Sequence, residues 1–67
     1  MKTKDKIILA AKDIFHQKGY DGARMQEIAD ACGINKALLH YHFQSKEKLL
    51  HAVLLGAVRQ MFPTIMT

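Results

Sequence analysis

The densest group of chemically versatile side chains lies between Gly33 and Lys46: Lys36, Ala37, Leu38, His40, Tyr41 and His42. On a short helix they offer a cation, imidazole and phenol hydrogen-bonding groups, and small or branched apolar surfaces. That mixture suits a helix inserted in the major groove of DNA. Lys36 meets phosphate as a point charge, and Tyr41 and His42 hydrogen-bond to phosphate. His40 donates to a purine edge, while Ala37 or Leu38 touches a thymine methyl. Leu38 is equally suited to packing against a neighbour.

Other chemistries fit less well. Four histidines (His16, His40, His42, His51) and Cys32 suggest metal binding, but His40 and His42 point about 200° apart on a helix and cannot share an ion there. Cys32 falls at a core position and behaves as a small apolar residue. The acids Asp5, Asp13, Asp21, Glu27, Asp30 and Glu47 form no carboxylate pair beside a histidine, and there is no glycine-rich phosphate loop. The expectation is no enzyme activity, no metal and no cofactor.

These residues belong to a chain of 67 amino acids, 49% hydrophobic and 24% charged, too apolar for a disordered tail. Ten Lys and Arg against six Asp and Glu give a net charge of +4, which favours a polyanionic partner. Positive charge flanks an acidic middle: residues 19–35 carry Arg24 against Asp21, Glu27 and Asp30. Cys32 has no internal disulfide partner, so a reducing cytoplasm is expected. The longest apolar stretch, Leu49 to Val58, is interrupted by His51 and falls short of the roughly 20 residues of a membrane span. Neither a secretion signal nor a membrane association is expected.

Hydrophobic periodicity supplies the elements that position the group. Ile7, Ala10, Ala11, Ile14 and Phe15 recur at helical spacing and predict helix 1 over about 4–18, with Thr3 as N-cap and Lys18-Gly19 at its end. Met25, Ile28, Ala29 and Cys32 predict helix 2 over about 24–32. Gly33 turns the chain and Asn35 caps helix 3 over about 36–42, which turns only Leu39 and then Phe43 inward. Ser45 caps helix 4 from about 46. The latter is apolar on nearly every face from Leu49 to Phe62, which implies burial against a further domain or subunit, and Pro63 ends or kinks it. Helix, glycine corner and short outward-facing helix together match a helix-turn-helix.

Ala11-Lys12-Asp13-Ile14-Phe15, Lys18-Gly19-Tyr20, Ile28-Ala29, Cys32-Gly33-Ile34-Asn35-Lys36 and the run Leu39 to Leu50, with its Phe43-Gln44-Ser45-Lys46-Glu47, resemble the amino-terminal DNA-binding domain of the TetR family of bacterial repressors. The resemblance covers about residues 4–55. It implies an all-α fold: a three-helix DNA-binding domain over 1–45, then a fourth helix over 46–67 leading into a carboxy-terminal domain that binds a small-molecule effector and forms a homodimer. Matched position by position, it makes Lys36, Ala37, Leu38, His40, Tyr41 and His42 the recognition segment, with Asn35 at its start, and Lys46 a phosphate contact.

Met25 falls where the family often places a hydroxyl or amide against phosphate. The usual threonine near the helix 2 N-cap is Ala23 here, so the side-chain cap is lost and Arg24 is the candidate phosphate contact instead. The usual glycine, small polar residue and tyrosine of the recognition helix are replaced by Ala37, Leu38 and His40. The resulting expectation is a ligand-responsive repressor binding double-stranded DNA at a palindromic operator. The alternative is a helical interaction or dimerisation module that uses helix 4 and binds no specific DNA.

Overall fold

A computed structural model describes residues 1–61, which form four helices: α1 (Thr3–Gly22), α2 (Met25–Cys32), α3 (Lys36–His42) and α4 (Lys46–Met61). All are α-helices, as the periodicity predicts. Helix α1 differs from expectation at both ends. Its N-cap is Lys2, without a side-chain cap, and Thr3 already lies inside the helix. At the other end Gly19, the expected C-terminal glycine, adopts φ 74 and ψ 169 and interrupts the helix, and one more turn follows to Gly22. The amide of Ala23 donates to the Gly19 carbonyl at 3.1 Å and closes that turn.

The α2–α3 corner follows from Gly33. At φ 77 and ψ 27 it takes the left-handed conformation, letting its own amide reach the Asp30 carbonyl at 3.1 Å and the Ile34 amide reach Ala29 at 3.0 Å. Two of the orphan carbonyls at the end of α2 are thereby satisfied, and Ile34 is delivered onto the core. Ile7, Ala11, Ile28, Ala29, Leu39, Phe43 and Leu49 form that core, with one or two residues from each helix or its edge. Phe15, Met25 and Cys32 are half-buried against it. Among the described residues the buried set contains no polar or charged side chain.

Helix α4 buries only Leu49 fully; Leu54, Leu55, Val58 and Met61 are exposed, the last at 71%. Between α1 and α4 an open apolar groove runs past Leu9, Phe15, Leu50, Val53 and Leu54. The apolar excess of α4 is therefore not covered by the other three helices. Phe62 and Pro63 lie outside the described residues. Among the described residues no helix is long and apolar enough to cross a membrane.

Candidate nucleic-acid interface

Helix α3 has seven residues, too few to persist alone in water. Three features hold it. Asn35 Oδ1 accepts from the Leu38 amide at 2.8 Å and caps the N-terminus. Leu39 is fully buried on the core side, and the Phe43 amide closes the last turn on the Leu39 carbonyl at 2.8 Å. Beyond it, Ser45 Oγ accepts from the Lys48 amide at 3.1 Å and starts α4.

Leu39 is the one fully buried residue of α3, and most of the rest of the helix faces out. Lys36, Ala37 and His40 are exposed, Leu38 is 38% exposed and Tyr41 is 77% exposed. Leu38 thus lies open rather than in the core. His42 is half-buried, and its ring meets Tyr41 edge-on with centroids 5.2 Å apart. Lys4 of α1 reaches across to the Phe43 ring, 5.8 Å from its centroid, which brings a cation from the chain's beginning to the end of α3. The sequence segment and the exposed surface of α3 coincide.

The second group of predicted residues gathers at the α1–α2 corner. Arg24 is the exposed N-cap of α2 and its side chain makes no capping bond, while the Glu27 carboxylate reaches back to accept from the Arg24 amide at 3.2 Å. Glu27 also pairs with Lys18 of α1. The Lys18 hydrogen bond is the main cause that holds its carboxyl below the usual glutamate value of 4.5, with the Arg24 amide adding to it. Met25, beside Arg24, is half-buried against the core.

Lys46 is half-buried and turned toward this corner. Its ammonium donates to the Tyr20 carbonyl at 2.6 Å and to the Ala23 carbonyl at 3.0 Å, and lies 4.4 Å from the Tyr20 ring centroid. Tyr20 in turn stacks on Phe15 at 5.9 Å. Tyr20 sits at the rim, 37% exposed, with Lys46 on it. Backbone carbonyl acceptors carry no residue-type signal, so this arrangement had no trace in the sequence. Among the described residues no cluster of three or more His, Cys, Asp or Glu is placed to hold a metal ion.

Residues 7–53 match the model of the bacterial regulatory proteins of the tetR family. The chain is 50% identical over 46 residues to the biofilm operon icaADBC HTH-type negative transcriptional regulator IcaR of Staphylococcus aureus strain Newman, covering 69% of this chain and 25% of that protein. It is 40% identical over 53 residues to the HTH-type transcriptional regulator UidR of Escherichia coli K12, covering 79% of this chain and 27% of that one. The crystal structure of a chain assigned to the TetR family of transcriptional regulators, from Mesorhizobium loti MAFF303099, superposes with a TM-score of 0.85 at 41% identity, over 87% of this chain and 29% of that chain. The chain thus spans about a quarter of the length of the curated relatives it matches. With a four-helix fold, an outward-facing α3 and a family match over most of its length, the chain belongs to the tetR family of bacterial regulatory proteins.

Proposed function

We propose that this chain is the DNA-reading head of a cytoplasmic, ligand-responsive repressor that binds a palindromic operator as a homodimer. The observation that carries the reading is α3: a capped, two-turn helix with Leu39 buried and Lys36, Ala37, Leu38, His40 and Tyr41 facing out. Lys36 and Tyr41 hold phosphates at the groove edge, with Asn35 at the helix start and His42 supporting Tyr41. Leu38 and His40 read base edges, and Arg24, next to Met25, adds a phosphate contact at the start of α2. Repression is supported by the similarity to IcaR, a negative transcriptional regulator.

The dimer follows from dimensions. Seven helical residues span about 10 Å, or roughly three base pairs, too few for tight specific binding. Two heads one helical turn apart supply the remainder and require an inverted repeat. The uncovered apolar face of α4 supports its continuation into a region that joins the subunits and holds the effector, which would change the separation of the heads.

The test is selection from random duplex DNA with the full-length protein at near-physiological salt, followed by sequencing. An enriched inverted repeat supports the reading, and its half-site gives the bases that Leu38 and His40 meet. A pool that stays random, with binding falling steeply as salt rises, refutes specific recognition and leaves α4 as the face of a protein-interaction module. For ligand response, equal operator affinity with every ligand that binds would refute effector control.

A further inference from the structure

We propose that His40 meets DNA as an imidazolium, so that each reading head takes up a proton from solvent at this side chain when it binds the operator. The proposal rests on the DNA-binding reading above. His40 is exposed on the outward face of α3, and neither ring nitrogen has a hydrogen-bond or ion-pair partner among the described residues. Lys36 lies four residues earlier, one turn away on the same face, and α3 contains no acid, so the surface offered to the groove is basic.

The anion that holds a charged imidazole is not supplied by the protein. Of the acids on adjoining α2, Glu27 pairs with Lys18 and accepts from the Arg24 amide, and Asp30 accepts from Gln26 Nε2 at 2.9 Å. From α1, Lys4 adds a cation at the Phe43 ring. At the start of α4, Lys46 is turned to the α1–α2 corner, Lys48 donates to Gln44 Oε1 at 3.5 Å, and Glu47 lies beside His51 on the surface of α4 itself. DNA phosphates bring the missing anion, and an opposite charge favours the protonated form of an imidazole. Both ring nitrogens then donate and neither accepts, which fits guanine O6 and N7 or a phosphate oxygen and rejects the amino groups of adenine and cytosine. Because the bound state holds more protons than the free one, affinity falls as pH rises.

The full-length protein is titrated with a duplex recovered by the selection above, at constant salt, from about pH 6 to about pH 8. Three variants are measured beside it: His40→Gln, which donates and accepts but never carries a charge, His42→Gln and His51→Gln. If bound phosphates raise an imidazole's pKa by about one unit from about 6.5, affinity falls about sixfold per head over this range. Calorimetry in buffers of different ionisation enthalpy then finds about half a proton taken up per head at pH 7. His40→Gln keeps the wild-type thermal midpoint and loses both effects, while the other two variants retain them.

The acceptor is identified in the same samples. A phosphate contact steepens the slope of log affinity against log salt by about 0.9 per head at the acid end of the range; a guanine contact loses its pH dependence when that base pair is changed to A·T. An affinity independent of pH, an absence of proton uptake, or a pH dependence that survives His40→Gln overturns the proposal. If the selection enriches no duplex, the DNA-binding reading itself fails and this proposal with it, whereas a duplex bound with a flat pH profile refutes the proposal alone.

Discussion

Lys36→Ala is the sharpest test of the recognition surface, because the structure gives opposite signs for stability and binding. Lys36 is the first residue of α3, is exposed, and has no hydrogen-bond or ion-pair partner among the described residues. A cation at a helix N-terminus opposes the helix dipole, and alanine is the better helix former. Removing it is expected to leave the fold intact and raise the thermal midpoint by about 1 to 4 °C.

Binding moves the other way. If each head neutralises one phosphate fewer, the slope of log affinity against log salt falls by about 0.9, or by about 1.8 for two heads. Between about 50 and 200 mM salt, the deficit of the variant then narrows by about 3.5-fold per head, or about 12-fold for the dimer. The assay is fluorescence anisotropy of a labelled duplex titrated at several salt concentrations, with thermal unfolding of the same samples. An unchanged slope would refute the phosphate assignment. A lowered midpoint would show that Lys36 has a structural partner and would refute the premise that it faces out freely.

Three further outcomes are expected. Asn35→Ala removes the cap on the Leu38 amide and costs about 1 kcal/mol, a midpoint drop of about 4–8 °C, whereas Asn35→Ser retains most of the stability because its hydroxyl can cap; equal losses in calorimetry would refute the capping role. Leu39→Ala empties a fully buried site at the only core anchor within α3 and costs about 2–5 kcal/mol, enough to unfold much of a small domain, which circular dichroism and denaturant titration would report. Glu27 has a folded-state pKa below its unfolded value, so its contribution is present above the usual glutamate value of 4.5 and disappears as pH falls through the depressed value. Glu27→Gln removes that acid-side dependence, and a variant whose midpoint falls with pH as steeply as the wild type would exclude Glu27 as its source.

The uncovered face of α4 gives the family assignment a structural meaning. Leu54, Leu55, Val58 and Met61 are spread over a helix that α1 meets on one side only. A stable isolated helix of this composition would expose more apolar surface than a solvated element tolerates, which is the physical reason to expect a partner on it.

Local physics was legible in the residues themselves. Spacing of apolar side chains at 3.6 per turn specified four helices, and Gly33, Asn35 and Ser45 specified the corners because positive φ and orphan amides are short-range demands. The outward character of α3 was equally legible, since Leu39 is its one apolar position matched to a core partner at the Phe43 end. The α1 boundaries escaped: Thr3 has the chemistry of a cap, but Lys2 occupies the position, and the turn after Gly19 is closed by a backbone bond.

Tertiary structure decided what depends on groups distant in sequence. Lys46 meets the carbonyls of Tyr20 and Ala23, acceptors that every residue possesses and no composition reveals. Glu27 accepts from the Arg24 amide within its own first turn, a local contact, but meets Lys18 only because α1 and α2 are brought side by side. Sequence determines the elements through local torsions and side-chain periodicity; only the packed chain determines which charges find one another.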